Sequence, residues 1–371
     1  MEQPQAYQIE GCRICLTAFG RVSPDSFATV IFWGTVTPNF FERASNGQPD
    51  KSVRCRLCPH RCTLRGVAVG LCGVRSGEGG GGLPFYGRIS SIAIDPIEKK
   101  PLFHYRPGQA ILSVGFVGCN LRCPFCQNWQ ISQTTEAAGN FVSPEELVEK
   151  ADALGLEQIA YTYSEPLVHA EYLINCMMLA RSCGIANVLV TNGCINGDAA
   201  AEIIPFADAA NIDLKCFSPY SYKNILGGSL SAVKDFIKTA AAGIHTEVTT
   251  LIVPDFNDSA EEIDSCIDFI ASVSNEIPWH INAYHPAYKL KTAPTKTETI
   301  LDIKKRAGQK LLYCYTGNIG NDENDTVCMN CGCVLIRRNG YVVKTPGLAK
   351  KIERHGKYRC GQCGAVLPVK Y

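Results

Sequence analysis

The sequence has little net charge and no long apolar run. Its 36 Lys and Arg residues nearly balance 35 Asp and Glu residues, so the formal net charge is +1. No bulk electrostatic attraction favours nucleic acid or a membrane surface, and we expect neither as a partner. A membrane-spanning helix needs about 18 apolar residues in a row, and the richest stretch, residues 27–41, is interrupted by Gly34, Pro38 and Asn39.

Patterns for nucleotide binding and for export are also missing. There is no Walker-type phosphate loop, and the glycine run at residues 79–82 neither follows a predicted strand nor opens a predicted helix, as a dinucleotide fingerprint requires. Residues 1–10 lack the basic region and apolar core of a signal peptide, so we expect a cytoplasmic protein. With 46% hydrophobic and 19% charged residues among 371, the composition is that of a globular enzyme.

Cysteine is the residue that the sequence has in excess, with 20 copies, many of them in C-x-x-C pairs. In a chain without an export signal, such pairs favour metal or cluster ligation over disulfides. Two compact sets of four could each hold zinc or an auxiliary iron–sulfur cluster. The N-terminal set is Cys55, Cys58, Cys62 and Cys72, and the tail set is Cys328, Cys331, Cys360 and Cys363.

The tail set is predicted to be a closed structural zinc site. Its two C-x-x-C pairs can complete a tetrahedral shell, and the few apolar residues between them are too few to fold alone. An iron–sulfur cluster is the alternative, and Cys333 is either an extra thiol or a substitute for one of the four. Cys12 and Cys15 form a further C-x-x-C pair, but nothing around them resembles a ligand set.

From residue 111 onward, short apolar strands alternate with helices that begin at capping residues. Ser143 and Ser259 each start a capping box with a glutamate three residues later. This alternation predicts an α/β domain with a parallel sheet. Six units suit a partial (β/α)6 barrel, and a doubly wound sheet is the alternative. The predicted strands are residues 111–117, 159–163, 188–191, 209–214, 246–253 and 280–284.

Composition divides the chain into four regions. Residues 1–50 carry little signal and stay unassigned, and residues 51–108 are predicted to form a Cys-rich N-terminal module. The partial barrel is expected over residues 109–312. Residues 313–371 are expected to form a C-terminal, ribbon-like module around the tail set, because short strands separate its two C-x-x-C pairs.

The strongest chemical signal is a C-x3-C-x2-C loop directly after the first predicted strand. It contains Cys119, Cys123 and Cys126. Three thiolates can bind three corners of a [4Fe–4S] cluster, which usually takes four cysteines. The remaining iron is then open to a small molecule, and the amino and carboxylate groups of S-adenosylmethionine (SAM) suit that position. The alternative is a structural zinc loop with a distant fourth ligand.

This loop, with the aromatic Phe125 before its last cysteine, resembles the radical SAM superfamily, especially its pyruvate formate-lyase activating enzyme branch. The wider context, at residues 55–62, 95–102, 126–132 and 315–318, is similar to the AmmeMemoRadiSam-system radical SAM enzyme family. The resemblance covers residues 51–371. It implies the partial barrel, a [4Fe–4S] cluster on the three loop cysteines, SAM as cosubstrate and anaerobic work in the cytosol.

The resemblance also implies a SAM-binding role for residues at the ends of later strands. Tyr163 and Glu165 occupy the place of the family's Gly-Gly-Glu-Pro element, with its glycines replaced, and Glu165 would pair with the SAM ammonium group. Asn192 lies in a Thr-Asn-Gly turn, while Asp213 and Lys215 match an Asp-x-Lys element. The alternatives are a carboxylate facing a helix N-terminus for Glu165 and a plain salt bridge for Asp213 and Lys215.

Two other positions near strand ends have open roles. Residues 251–254, with Asn257 and Asp258, match the family's strand-five element and are candidates for contact with the adenosine end of SAM. His280 and His285 lie at and beyond strand six. Each is either a proton donor or substrate contact, or a hydrogen-bonded core histidine, which is the commoner role.

The implied activity is that of an oxidoreductase. SAM is cleaved reductively to a 5′-deoxyadenosyl radical, which abstracts hydrogen from an unknown substrate, either a glycyl-radical protein, a small molecule or another protein. A reducing electron donor such as flavodoxin or ferredoxin is required. By resemblance, Memo-like and AMMECR-like proteins are possible partners. The alternative is a non-catalytic iron–sulfur electron carrier or a zinc-dependent scaffold.

Overall fold

The structure of the protein is a computed structural model that describes residues 39–44, 52–136, 138–320, 324–349 and 356–370. The Cys12–Cys15 pair lies outside the described residues, as does the rest of the unassigned segment 1–50 apart from residues 39–44. Among the described residues, no helix is long and apolar enough to cross a membrane.

The N-terminal module consists of short antiparallel strands. One sheet has three strands and the other has two. Phe40, Leu57 and Leu64 belong to the same hydrophobic core as the large sheet, so this module packs directly on the rest of the chain. Its strands are β1 (Phe41–Arg43), β2 (Val53–Cys55), β3 (Thr63–Leu64), β4 (Gly66–Val69) and β5 (Ser76–Gly77).

The main sheet has eight strands whose spatial order follows the chain. The strands are β6 (Ser91–Pro96), β7 (Ala110–Gly115), β8 (Gln158–Thr162), β9 (Ala186–Thr191), β10 (Ala209–Asp213), β11 (His245–Ile252), β12 (Trp279–Ala283) and β13 (Cys314–Gly317). Strands β7 to β13 are parallel, and β6 joins β7 antiparallel.

The unbroken strand order distinguishes the two predicted architectures. A doubly wound sheet reverses its strand order at a switch point, and this sheet contains no reversal. Right-handed crossovers that always advance in one direction leave their helices on one face, as in a partial barrel. The α/β prediction is therefore confirmed. The six predicted strands correspond to β7 to β12, whereas β13 extends the sheet past residue 312, where the predicted barrel region ends.

Helices follow each of the parallel strands β7 to β12. At Ser143 the predicted capping box is complete. Ser259 accepts from the Glu262 N–H, while the Glu262 carboxylate accepts from the Phe217 N–H. The helices are α1 (Trp129–Ser132), α2 (Pro144–Ala153), α3 (Ala170–Ser182), α4 (Gly197–Ile203), α5 (Pro219–Asn224), α6 (Leu230–Gly243), α7 (Ala260–Val273) and α8 (Thr297–Ala307).

Residues 97–109, which we call the base plug, cover the amino ends of the parallel strands. Ile97, Leu102 and Tyr105 of the plug share an apolar cluster with residues that begin the strands. The Asn211 side chain of β10 donates to the Pro101 carbonyl at 2.7 Å. The barrel is therefore closed at this end, and its carboxyl ends are left for a site.

The C-terminal module docks on the base plug. The Lys370 N–H donates to the His104 carbonyl at 2.7 Å, and the Arg106 N–H donates to the Lys370 carbonyl at 2.8 Å. Arg338 donates to the Phe103 carbonyl at 2.6 Å. The module's strands are β14 (Thr326–Val327), β15 (Val334–Asn339), β16 (Val342–Lys344), β17 (Lys357–Arg359) and β18 (Val366–Lys370).

Candidate active site

The loop after β7 brings the three predicted cluster ligands to the carboxyl end of the sheet. Cys119 and Cys123 are buried and Cys126 is partly buried. Gly118 starts the loop with a φ of 79°, and a Cβ atom there would lie 2.4 Å from the Cys72 carbonyl oxygen. Only glycine fits both the conformation and the space, so this loop lies directly against the N-terminal module.

The chemistry of these thiols suits a metal cluster. Every cysteine in the described part of the chain is a free thiol. Burial raises the pKa of the Cys123 thiol to about 11 and raises the pKa of Cys119 well above its ordinary value, because there is little solvent to stabilise a thiolate. An iron–sulfur cluster supplies the positive charge that favours thiolates. Cys126 Sγ is 3.2 Å from Ser132 Oγ, a hydroxyl that can donate to it.

Glu165 follows β8 and is completely buried, with 0% of its surface exposed. One carboxylate oxygen accepts from the Thr191 hydroxyl at 2.5 Å and the Leu167 N–H at 3.0 Å, and the other accepts from the Asn192 N–H at 2.7 Å. Burial outweighs these hydrogen bonds and raises the pKa of Glu165 to about 7. A carboxylate has about four lone-pair positions, so one remains for a further donor such as an ammonium group.

The backbone just before Glu165 explains how the family's two glycines can be replaced. Tyr163 and Ser164 both have positive φ angles, 49° and 61°. Each conformation is one that glycine adopts easily and other residues adopt at a cost. The two side chains hold this backbone in place. The Tyr163 hydroxyl donates to Asp95 at 2.9 Å, and the Ser164 hydroxyl donates to the Phe116 carbonyl at 3.0 Å.

Asn192, at the end of β9, connects the carboxylate to the cysteine loop. Its N–H donates to Glu165, and its side-chain amide lies 3.6 Å from Cys119 Sγ and donates to Asn120 Oδ1 at 2.9 Å. Gly193 follows with a φ of 63°, which allows the tight turn. Asn192 therefore contacts both predicted elements of the site, the ligand Cys119 and the carboxylate Glu165.

Asp213 and Lys215 lie on the same face at the end of β10. Lys215 Nζ donates to Asp213 at 3.0 Å, so the salt bridge that was the alternative to SAM contact is present. Burial lowers the pKa of Lys215, but the nearby Asp213 and Cys123 outweigh it, and the net pKa is raised. Asn257 ties this strand end to β11, since its amide donates to the carbonyls of Lys215 at 2.7 Å and Leu251 at 2.8 Å.

Phe125 and the two histidines occupy different surroundings. Phe125 is buried within the cysteine loop, with its ring centroid 5.2 Å from that of Phe256. His280 lies lower in the barrel and its Nε2 is 2.6 Å from Glu247, as for a hydrogen-bonded core histidine. His285 is at the strand end, and its Nε2 lies 3.1 Å from the Asn318 carbonyl.

Two charged residues beneath the site were not assigned from the sequence. Lys100 is almost fully buried and donates to Asp95 at 2.7 Å and to the Tyr163 hydroxyl at 3.0 Å. Burial opposes ionisation of Asp95, but the donors Lys100 and Lys99 hold its pKa well below the ordinary range. Both residues lie in the motif at residues 95–102. That motif contributes to the family resemblance, but it assigns no role to either residue.

The tail set has the geometry of a single-ion site. Its four sulfurs, from Cys328, Cys331, Cys360 and Cys363, all lie within 4.8 Å of one another. Cys328 Sγ is 3.7 Å from Cys363 Sγ, and Cys331 Sγ is 3.7 Å from Cys360 Sγ. Thiolates about 2.3 Å from a tetrahedral zinc ion stand about 3.8 Å apart. Cys333 Sγ also lies close, at 3.3 Å from Cys360 Sγ.

Comparisons with known proteins agree with this arrangement. The model of the radical SAM superfamily matches residues 113–270. An uncharacterized protein from Methanocaldococcus jannaschii is 38% identical over 330 residues, which cover 86% of this chain and 96% of that protein. The pyruvate formate-lyase-activating enzyme of Clostridium pasteurianum is 30% identical over 200 residues, which cover 48% of this chain and 81% of that enzyme.

Among solved structures, a domain of pyruvate-formate lyase-activating enzyme from Bacteroides vulgatus matches with a TM-score of 0.38 and 19% identity, over 43% of this chain and 98% of that domain. The family match covers the strands and helices from β7 to α7, which contain the cysteine loop, Glu165, Asn192 and Asp213. The chain belongs to the radical SAM superfamily, whose enzymes use a [4Fe–4S] cluster and SAM.

Proposed function

We propose that this protein cleaves SAM reductively at a [4Fe–4S] cluster held by Cys119, Cys123 and Cys126. The observation that carries the proposal is the short link from Cys119 through Asn192 to Glu165, a buried carboxylate that accepts from neutral donors. A thiolate cluster and a site for an ammonium group therefore lie side by side. When bound, the cluster supplies the electron that breaks SAM into methionine and a 5′-deoxyadenosyl radical.

The roles of the surrounding residues follow from their contacts. Glu165 binds the SAM ammonium group through its remaining lone pair, a charge-assisted hydrogen bond. Thr191 and the Asn192 N–H hold that carboxylate in one orientation. Lys215, with its charge stabilised by Asp213, places a positive group near Cys123, which suits the carboxylate end of SAM. Phe125 and Asn257 shape the rest of the binding site.

The finer assignment rests on the resemblance in sequence. We place the chain in the AmmeMemoRadiSam-system family, in the branch that resembles pyruvate formate-lyase activating enzymes. Its substrate is then a glycyl-radical protein, a small molecule or another protein, with Memo-like and AMMECR-like proteins as candidate partners. The electron donor is a flavodoxin or ferredoxin, and the setting is the cytoplasm, where thiols stay reduced.

Production of 5′-deoxyadenosine from SAM, with dithionite as reductant under anaerobic conditions, tests the proposed function. The reconstituted protein is expected to form it, and Cys119→Ala, Cys123→Ala and Cys126→Ala are each expected to abolish it. Cys183→Ala, a partly buried cysteine at the end of α3, is the matched control. Full activity in any one of the three loop variants would contradict the ligand assignment.

A further inference from the structure

The N-terminal set surrounds a small cavity. Its volume is about 10 Å³, close to the space that one water molecule needs. The apolar side chains of Leu57, Leu64 and Val168 line it, and so do two nitrogen-bearing side chains, His60 and Arg75. The four cysteines of the set, Cys55, Cys58, Cys62 and Cys72, all line this cavity.

The sulfurs of the N-terminal set are not gathered as closely as those of the tail set. Among the described residues, no three sulfurs of the N-terminal set lie within 4.8 Å of one another, in contrast to those of the tail set. Thiolates held about 2.3 Å from a single zinc ion stand about 3.8 Å apart. Four thiols that line one cavity without gathering at a single point suit thiolates that bind different iron atoms, and the cavity, about one water molecule in size here, must widen for a polynuclear cluster to enter.

Arg75, which lines the cavity, carries one buried donor that has no partner among the described residues. Its two terminal nitrogens donate to Glu171 at 2.6 and 2.7 Å, which fixes the guanidinium group inside the protein. Its third nitrogen, Nε, is buried and has no hydrogen-bond partner among the described residues. A buried donor without a partner is costly. The sulfurs of an iron–sulfur cluster accept hydrogen bonds of this kind.

The cavity lies against the loop that carries the SAM-cleaving cluster. His60, which lines the cavity, is 2.8 Å from the Asn120 carbonyl oxygen. Arg122 donates to the carbonyls of Leu71 and Cys119. The Cys72 carbonyl packs on Gly118, next to Cys119. A cluster held by the N-terminal set would therefore be separated from the other cluster by only a few residues.

We propose that the N-terminal set holds a second iron–sulfur cluster that relays electrons to the SAM-cleaving cluster. A low-potential flavin or iron–sulfur protein is oxidised by one electron and reduces the second cluster. The second cluster then passes this electron to the SAM-cleaving cluster and returns to its oxidised state, with no bond made or broken. The acceptor in this step rests on the proposed function, whereas the presence of the second cluster does not.

The presence of the cluster is tested in the Cys119→Ala, Cys123→Ala, Cys126→Ala triple variant, which removes the other cluster from the count. Reconstituted anaerobically, it is expected to keep iron, acid-labile sulfide and a paramagnetic resonance signal after reduction. Adding Cys58→Ala and Cys72→Ala is expected to remove all three. The matched control adds Cys360→Ala and Cys363→Ala instead and should leave iron and sulfide as they were.

A triple variant that carries zinc at the N-terminal set and no iron or sulfide would overturn the proposal. If Cys58→Ala and Cys72→Ala together prevent folding, the single change Cys62→Ser is used, and it must still lower iron and sulfide. Because SAM cleavage is not measured in this experiment, its outcome is independent of the proposed function.

The relay is tested in the otherwise unchanged protein with Cys58→Ala and Cys72→Ala. With dithionite, a small reductant that reaches the SAM-cleaving cluster directly, the variant is expected to keep forming 5′-deoxyadenosine. With reduced flavodoxin as donor, that product is expected to be lost. Equal activity of the variant and the unchanged protein with flavodoxin would overturn the relay, as would equal losses with both reductants.

Discussion

Two buried glutamates lie at opposite ends of the main sheet, and they differ in the hydrogen-bond donors that surround them. Glu165 follows β8 at the carboxyl ends of the strands, and Glu247 lies near the amino end of β11. Both side chains are 0% exposed. Even so, the pKa of Glu165 is raised to about 7, whereas the pKa of Glu247 is held well below its usual range.

The cause is the set of groups around each carboxylate. Burial opposes ionisation of both. Glu247, however, faces the imidazoles of His245 at 2.9 Å and His280 at 2.6 Å, together with the N–H groups of Phe103 and His104 in the base plug. Glu165 accepts from a hydroxyl and two backbone N–H groups. The base thus surrounds its carboxylate with donors from two side chains and two N–H groups, whereas the carboxylate at the upper end keeps one acceptor position for a donor that arrives with a ligand.

The largest effect is expected at the tail module docked on the base. Cys360→Ala with Cys363→Ala should remove one zinc ion, whose binding to comparable sites contributes about 10–16 kcal/mol of apparent free energy. Hydrogen exchange in β17 and β18 should become fast, while calorimetric SAM affinity at the other end stays the same. If iron disappears rather than zinc, the tail holds a cluster. The contrast between a purely structural base and a reactive upper end would then be wrong.

Next in size is Glu247→Gln. Breaking a buried charged network from one side typically costs about 3–5 kcal/mol of unfolding free energy, measured by urea denaturation. Because the folded pKa of Glu247 is lowered, its contribution is present above the unfolded pKa and is lost as the pH falls through the folded value. The variant should therefore show a weaker loss of stability in acid. A large change in SAM affinity would contradict a purely structural role.

Glu165→Gln should have the opposite signature. Losing a charged hydrogen-bond partner should weaken SAM binding by about 1–3 kcal/mol, measured by calorimetry on the reconstituted protein. Stability above pH 7 should not fall and should rise slightly, because ionising a carboxyl group with a raised pKa opposes folding. Unchanged SAM affinity would transfer the ammonium contact elsewhere, with Asp213 as the next candidate.

The smallest effect concerns pH. Since only the ionised form of Glu165 attracts an ammonium group, SAM affinity should fall as the pH decreases through about 7, the pKa set by burial. The expected limit is about tenfold per pH unit, or about 1.4 kcal/mol. Titrations between pH 5.5 and 7.5 would measure it. The dependence should vanish in Glu165→Gln, and its persistence there would assign the titration to another group.

The parts of the fold that could be predicted were those with a strong local pattern. Strands β7 to β12 are buried almost throughout, so apolar or β-branched residues recur along them. The exceptions are β6 and β13. Strand β6 is mostly exposed at the antiparallel edge, and β13 has only four residues. Neither contains a long enough apolar run to indicate its position in the sheet.

In the candidate site, too, some features could be predicted from local motifs and others could not. The cysteine loop and Glu165 could be proposed from short motifs, because each motif places several groups close together in the chain. The bond from Tyr163 to Asp95 joins residues 68 positions apart, and only the fold brings them together. Likewise, both four-cysteine sets looked alike in residue type, and the separation of their sulfurs became visible only in three dimensions.

The left-handed backbone at Tyr163 and Ser164 has a consequence for how relatives of this protein are searched for. A search pattern that demands two glycines before the Glu-Pro pair would pass over this chain. What the site requires there is a pair of dihedral angles, at a cost of roughly 1–2 kcal/mol for each residue other than glycine. Any side chain that repays this cost through a fixed hydrogen bond, as Tyr163 does with Asp95, satisfies the requirement.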